Sequence, residues 1–343
     1  MQTPPWEDEL ELLVVLTCFR CVELTIDCLH TLEPELREEP RIKVMICENG
    51  SGDGALEALD AAIRREGWGS WVVVRPVHPN RGFAGGNNVV LSEALGWPRP
   101  PRHFLLLNTD TLVRPGAIRG LLDAAEQHPE AGLVGPRLEH ADGTPQVSCF
   151  RFISPLGEML RGARTGPLSS LFSRWVVSIP VSDEPMEPDW LSFACVLIRL
   201  DVMRALGPLD ENYYLYYDDV DYCRMARDAG FGMRYEPRWR VCHLVGQSNP
   251  VEALAAERKR RPRYYYASRS RYFAKFYGLP GLWLANLLWL AGRTIALLRE
   301  TLGSKPRHSC DEEWRDVWIN GLAPMRPPEE RTMQGRAEGP AFG

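Results

Sequence analysis

The sequence predicts an α/β fold, a mostly parallel central sheet with helices on both faces. Three observations carry that expectation. Short, unbroken apolar runs have strand length, helix-spaced apolar residues lie between them, and each run stops abruptly at a polar cluster. Leu12 to Leu16 form the first run, ending at Thr17, and Val22 to Leu36 carry Leu24, Cys28, Leu29 and Leu32 along one helical side. Ile42 to Cys47 repeat the strand pattern and end in Glu48-Asn49-Gly50-Ser51-Gly52-Asp53-Gly54, a turn dense in capping and backbone-permissive residues. Ala55 to Arg65 read as a helix and Trp71 to Val74 as a third strand. After Asn80-Arg81-Gly82-Phe83-Ala84-Gly85-Gly86-Asn87-Asn88, a helix is expected to run to about Leu95. Phe104 to Leu107 are the central strand, Pro115 to Glu126 a helix, and Gly132 to Val134 a short strand. Periodicity loosens over 152–188. It returns in a strand at Cys195 to Ile198, a helix at Asp201 to Leu206 and a strand at Trp239 to Val245.

The 343 residues suffice for one large domain or two modest ones. A net charge of −5 over a mixed background gives no support to general nucleic-acid binding, and no nucleic-acid partner is expected. The nine cysteines are scattered and odd in number, so they read as reduced core residues of a cytoplasmic protein. The N-terminal apolar run is too short and wrongly flanked for a signal peptide. No segment has the length and purity expected of a clear membrane span.

Chemistry concentrates in three places. The central strand stops at Asn108-Thr109-Asp110. In an open α/β sheet that edge faces the binding crevice, and a carboxylate there suits Mg²⁺ or Mn²⁺ held together with substrate phosphates. The alternative is that Asp110 caps the following helix. Gly82, Gly85 and Gly86 before a helix, with Arg81 beside them, suit close approach to an anionic ligand, or else only a tight loop. Asp218, Asp219 and Asp221 lie behind four tyrosines between Tyr213 and Tyr217. Asp218 as a helix cap with Asp221 in the first turn accounts for two of these acids and leaves Asp219 unassigned. His243 is the histidine best placed to bind a metal, although a lone strand histidine is more often structural.

In this order the motifs resemble bacterial family 2 glycosyltransferases of the rhamnosyltransferase-like kind, with the nucleotide-diphospho-sugar-binding GT-A fold. The resemblance spans about Leu10 to Tyr277. It rests on Asn49-Gly50-Ser51, Asn80 to Asn88, Leu-Leu-Asn-Thr-Asp-Thr111, Trp190 to Cys195, Tyr216-Tyr-Asp-Asp-Val-Asp221 and His243. It implies that Thr17, Glu48, Asn49 and Ser51 serve the nucleoside. Asn80, Arg81, Gly82, Phe83, Gly85, Gly86, Asn87 and Asn108 would flank the nucleotide sugar. By the same resemblance Asp110 and His243 hold a divalent metal, Asp219 is the catalytic base, and Trp190 and Asp218 border the acceptor. The reaction expected is inverting transfer from a nucleotide-diphosphate sugar to a glycan or lipid-linked acceptor, in bacterial cell-surface polysaccharide synthesis. The sequence departs from the family at Thr17-Cys18-Phe19, at Glu48 in place of Asp, and at Asn108 in place of the first metal-motif acid. Asn108 and Glu48 motivate one rival, a nucleotide-sugar-binding protein without turnover. A sugar nucleotidyltransferase is the other.

The expected organisation is an N-terminal tail (1–9), a catalytic domain (10–248), a basic, aromatic and apolar helical segment (249–302) and a largely disordered polar tail (303–343). Arg258-Lys259-Arg260-Arg261 beside the apolar stretch from Gly281 to Leu298 suggests attachment to an anionic membrane surface, on the inner face of the cell membrane. The same stretch also suits a buried packing helix.

Overall fold

Apolar runs of strand length become the middle of a sheet because both of their faces are covered. The computed structural model describes residues 6, 9–37, 39–244, 250–303 and 306–327. The first half of the chain forms β1 (Leu12–Cys18), α1 (Val22–Leu36), β2 (Ile42–Glu48), α2 (Ala55–Glu66), β3 (Val72–Pro76), α3 (Gly82–Leu95) and β4 (His103–Leu107). There follow β5 (Thr111–Val113), α4 (Ala117–Gln127), β6 (Ala131–Glu139), β7 (Cys149–Phe150), α5 (Pro155–Ala163), α6 (Gly166–Leu171) and β8 (Trp190–Leu191). The last part holds β9 (Cys195–Arg199), α7 (Leu200–Leu206), α8 (Asp218–Asp228), β10 (Gly232–His243), α9 (Pro250–Ala256), α10 (Arg263–Gly303) and α11 (Glu313–Asp316).

The main sheet has eight strands in the order β3-β2-β1-β4-β9-β6-β10-β5. Its first four strands are parallel, as the strand–helix repeats require, whereas β9 and β5 run antiparallel to their neighbours. Side chains alternate between two cores. Leu13 and Val15 enter the core shared with α3 and α8, while Leu12, Val14 and Leu16 enter the one beneath α1 and α4. All nine cysteines are free and buried.

Several expectations change. A short strand, β5, intervenes between Asp110 and α4, whose N-cap is Gly116, so Asp110 does not cap that helix. The loosely patterned stretch 152–188 contains α5 and α6. Residues 306–327, expected within a disordered tail, instead pack on the domain, because their polar groups find internal partners. Arg260 pairs with Asp316, Ser270 donates to the Ile319 carbonyl, and Trp283 Nε1 donates to the Gly321 carbonyl. The rest of that tail and most of residues 1–9 lie outside the described residues.

By length and composition α10 is long and apolar enough to cross a membrane, which the sequence reading did not expect. Gly278 breaks it into two arms. The second arm packs on α5, where added methyl groups on Gly162 and Gly292 would strike the facing backbones at 2.4 and 2.1 Å. The basic run is largely consumed by internal pairs. Arg269 is fully buried and donates to Glu158 from Nε (2.9 Å) and Nη2 (2.7 Å), with a further bond from Nη1 to Asn286 Oδ1 (2.7 Å). Arg161 bridges Glu158 to Glu313, and Arg261 joins Glu313.

Burial pushes the Glu158 carboxyl up, but Arg161 and Arg269 outweigh it and hold the group at about 2. Its ordinary value is 4.5, so its stabilising contribution is complete above that pH and lost as pH falls toward about 2. Glu158→Ala leaves a buried guanidinium uncompensated and is expected to cost about 3–5 kcal/mol. Urea denaturation at pH 7 measures this, and a loss below about 1 kcal/mol would reject the pair as a structural hub.

Candidate active site

The loops after β2 and β3 meet through side-chain amides, and the loop after β1 joins them through Ser51. Glu48 Oε1 accepts the Ser51 N–H at 2.7 Å, so the carboxylate expected at a nucleobase spends one oxygen on its own turn. Ser51 Oγ likewise accepts the Arg20 N–H at 2.9 Å. Asn49 Nδ2 donates to Asn80 Oδ1 (3.1 Å) and to the Gly82 carbonyl (3.0 Å), while its Oδ1 accepts the Arg81 N–H (3.0 Å). Two loops thirty residues apart are thereby fixed as one wall. The Thr17 hydroxyl, at the end of β1, is buried and without a hydrogen-bond partner among the described residues.

Of the two readings of the glycines, the tight-loop one has a visible basis in packing. α3 begins at Gly82 itself, at φ +71°, and its N-terminus is packed against protein. A Cβ on Gly82 would lie 2.2 Å from the Tyr214 carbonyl oxygen, and one on Gly86 would lie 2.4 Å from Thr17 Cγ2. Phe83 donates its N–H to that same Tyr214 carbonyl at 2.8 Å. Phe83 is half-buried against the core, Gly85 lies in the buried first turn, and Asn87 Nδ2 bonds the Phe83 carbonyl within the helix. Close packing between loops therefore accounts for Gly82 and Gly86, and it links the glycine-rich segment to the tyrosine-rich one.

Asp110 and His243, the two expected metal ligands, come together. Asp110 is 1% exposed, and His243 Nε2 lies 3.5 Å from its Oδ1. The strand carrying His243, β10, does not lie beside the central strand β4. β10 pairs instead with β6 and β5, in a register that sets His243 opposite Thr111. Asn108 donates its N–H to the Ala194 carbonyl and accepts the Thr111 hydroxyl at its own carbonyl.

The acidic segment opens α8. Tyr216 and Tyr217 both adopt left-handed backbone, at φ +66° and +67°, and Tyr217 rather than Asp218 is the N-cap. Burial, then the neighbouring Asp219 carboxylate, raises Asp218 well above the ordinary range. Asp219 is half-buried, and desolvation brings its carboxyl up to about 7. Asp221 is absorbed by structure, accepting from Tyr213 Oη (2.8 Å) and Lys275 Nζ (2.7 Å). Trp190 is 9% exposed, stacks on Phe150 at 4.0 Å, and gives its N–H to the Arg151 carbonyl. Its ring therefore borders β7 and presents little surface to an acceptor.

Sequence reasoning missed Glu211 and Lys275. Glu211 Oε2 pairs with Arg81 at 2.6 Å, and its Oε1 accepts from Asn88 at 3.1 Å, so it ties α3 to the loop before α8. Neither residue lies in a local pattern, because the partners are more than fifty positions away.

A family model described as glycosyltransferase-like family 2 matches residues 11–267. An N-acetylglucosaminyl-diphospho-decaprenol L-rhamnosyltransferase of Mycobacterium tuberculosis is 29% identical over 276 residues, covering 76% of this chain and 83% of the relative. A low-salt glycan biosynthesis hexosyltransferase of Haloferax volcanii is 25% identical over 51% of this chain and 48% of its own length. Among solved structures, a Pyrobaculum calidifontis mannosyltransferase with GDP-mannose and Mn²⁺ matches with a TM-score of 0.53 at 13% identity, covering 94% of this chain and 89% of that one. S. aureus TarS (residues 1–349) with UDP-GlcNAc also matches with a TM-score of 0.53 at 13% identity, covering 91% and 80%. These structural likenesses establish the GT-A fold.

Proposed function

The chain belongs to glycosyltransferase-like family 2, and from that premise we propose that it is an inverting, rhamnosyltransferase-like enzyme acting on a lipid-linked acceptor. The donor is a nucleotide sugar. The observation that carries the reading is the approach of Asp110 to His243 just beyond the end of the central strand β4. The buried Thr17 hydroxyl is a further group that a bound nucleoside can satisfy. The M. tuberculosis relative, named for a diphospho-decaprenol acceptor, supports the acceptor class and a place in bacterial cell-surface polysaccharide synthesis.

Asp110 and His243 fit a divalent cation. A buried carboxylate oxygen 3.5 Å from an imidazole nitrogen is a donor set that would hold Mg²⁺ or Mn²⁺ together with the donor's phosphates. Bound there, Mg²⁺ or Mn²⁺ would stabilise the charge that develops on the nucleotide-diphosphate leaving group. The paired amides of Asn49 and Asn80 keep the loop wall fixed. Asp219 takes the proton from the acceptor hydroxyl, and Asp218, held protonated beside it, leaves Asp219 as the carboxylate that ionises near neutrality. Attack opposite the leaving group inverts the anomeric carbon without a covalent intermediate. The acidic Tyr-Asp-Asp-Val-Asp segment disfavours a nucleotidyltransferase.

The second arm of α10 exposes Trp283, Leu284, Leu287, Ile295 and Leu298 on one side, with Trp314, Trp318, Leu322 and Met325 of the C-terminal segment also exposed. We read this apolar face as the surface by which the enzyme rests on the cytoplasmic side of an anionic membrane. The internal pairing of the arginines shifts the burden of attachment from charge to apolar area.

Three outcomes are expected. Asp219→Asn keeps nucleotide-sugar affinity within a few-fold while lowering kcat by at least about 10²-fold. Because the base must be ionised, wild-type kcat rises with pH through about 7. Wild-type turnover in the folded variant would move the base elsewhere. Asp110→Ala loses the Mn²⁺-dependent part of donor binding in titration calorimetry, and an unchanged Mn²⁺ dependence rejects the metal assignment. Leu284→Asp with Leu287→Asp abolishes flotation with phosphatidylglycerol-containing vesicles. Truncation is the poorer test, since removing α10 would uncover the domain core, and equal flotation of the double variant rejects this surface.

A further inference from the structure

Cys18 closes β1 and Cys21 is the N-cap of α1, so a Cys-x-x-Cys turn joins the first strand to the first helix. Both residues are buried, Cys18 completely and Cys21 to 6% exposure, and their sulfurs lie 3.9 Å apart. A disulfide needs about 2.05 Å, so a small rotation of the two side chains closes the gap. On its other side Cys21 Sγ lies 3.2 Å from the hydroxyl of Thr109, the residue before Asp110. The Cys18 thiol, opposed by burial and helped by Thr109, draws the Cys21 thiol down to about 7. Every other cysteine is pushed up, so Cys21 is the one that supplies a nucleophilic thiolate near neutral pH. Among the described residues no group of three or more His, Cys, Asp or Glu could hold a metal ion, so the pair reads as a redox dithiol and not a zinc site.

The turn is tied to two segments of the candidate site. The Cys18 carbonyl accepts the Asn49 N–H at 2.8 Å, and the Arg20 N–H donates to Ser51 Oγ at 2.9 Å, which couples the turn to the loop after β2. The Cys21–Thr109 contact couples it to the segment after β4. Cys21 also fastens the start of α1, its carbonyl accepting the Thr25 N–H at 3.0 Å and the Thr25 hydroxyl at 2.8 Å. With one cysteine held in a strand and the other at the head of a helix, closing the sulfur pair falls on Phe19, Arg20 and the Thr109 contact. Arg20 already sits in left-handed backbone, at φ +56°. Bond formation therefore draws Cys21 Sγ off Thr109 and pulls on the Arg20 bond to Ser51.

We propose that Cys18 and Cys21 are a redox-sensitive modification site, closed by peroxide into a reversible disulfide that loosens the 48–51 turn and the Thr109 segment and so weakens donor binding. The effect on the donor rests on the reading of these segments as the nucleotide-sugar site, whereas the disulfide itself does not. The Cys21 sulfur attacks hydrogen peroxide, an S–O bond forms and the O–O bond breaks, and the hydroxide released leaves as water with the thiol proton. The Cys18 sulfur then attacks the Cys21 sulfenic acid, an S–S bond forms and the S–O bond breaks, and a second water leaves with the Cys18 proton. The sulfurs give up two electrons and the peroxide is reduced to water. A dithiol reductant reverses the change, as suits a compartment in which disulfides are transient and redox-sensing.

The reduced full chain, treated with hydrogen peroxide, is followed by peptide mapping, hydrogen exchange and donor titration. Mapping finds Cys18 joined to Cys21, and dithiothreitol removes the link. Amide exchange over 48–51 and 108–111 rises on oxidation and returns on reduction. In calorimetry with Mn²⁺, whichever UDP-, GDP- or dTDP-sugar the reduced chain binds is held about tenfold more weakly after oxidation, as the loss of two hydrogen bonds gives. Cys21→Ser cannot close the bond and keeps its exchange pattern and donor affinity under peroxide. In Cys18→Ser the Cys21 sulfenic acid persists and is trapped by dimedone. Free thiols at both positions after peroxide overturn the proposal, and so does a disulfide that leaves exchange or donor affinity unchanged. An equal peroxide effect in Cys21→Ser also overturns it, since the damage then lies elsewhere. A linked pair with raised exchange, in a chain that binds no nucleotide sugar even when reduced, would sink the donor-site reading alone.

Discussion

Three residue pairs between β5 and the end of β10 hold the two halves of the site in register. Val241 opposes Val113, Cys242 opposes Leu112 and His243 opposes Thr111. Antiparallel pairing fixes position along the strand to one residue, since a slip by one turns every side chain to the other face. His243 therefore reaches Asp110 only in this register. The chain leaves the central strand at Leu107, passes Asp110 and returns as an edge strand. The Leu244 N–H, donating to the Asp110 carbonyl at 2.8 Å, extends the register one step beyond the strand. Each ligand candidate is thus placed by backbone bonds.

The same economy governs the other wall. Asn49 uses both ends of its amide, and Asn80 Oδ1 accepts from both Asn49 and the Gly82 N–H. Buried amides bonded to one another and to the backbone on both sides of the crevice loops specify one arrangement. These residues read in the sequence as nucleotide ligands, and their geometry makes them the frame of the crevice.

How much was legible follows from the range of each interaction. The strands and most helices are local, periodic patterns, so β1, β2, β4, α1 and α2 lie close to where their apolar residues place them. Asp110, Asp219 and His243 stand out because each follows or interrupts such a pattern. The basic run at Arg258 reads as a free charged surface, yet Arg260, Arg261 and Arg269 are paired with Asp316, Glu313 and Glu158. Those partners lie 52 to 111 positions away, and nothing in a local window announces them. The polar composition of 306–327 misled for the same reason. Its Glu313 and Asp316 are buried acids whose counter-ions are Arg161, Arg261 and Arg260, and a largely polar segment can be ordered when its charges complete pairs that would otherwise be costly.

This dependence reaches the catalytic segment. Two successive tyrosines in left-handed backbone cost on the order of 1–3 kcal/mol each and persist only where their surroundings over-determine them. The surroundings here are the first arm of α10. Tyr216 and Tyr217 both pack edge-on against Tyr265, and Tyr217 also contacts Tyr272. Arg271 holds Asp210, Ser268 holds the Leu215 carbonyl, and Lys275 holds Asp221, so the strained turn is gripped before, within and after. The arm is anchored in turn through Arg269 to Glu158 on α5 and to Asn286 on its second arm. Released, the turn could relax to right-handed backbone, and α8 would no longer present Asp219 in the same direction. The buried ion pairs behind the sheet are thus the stabilising counterpart of the strain at its edge, and the C-terminal segment that completes them belongs to the structure of the active site.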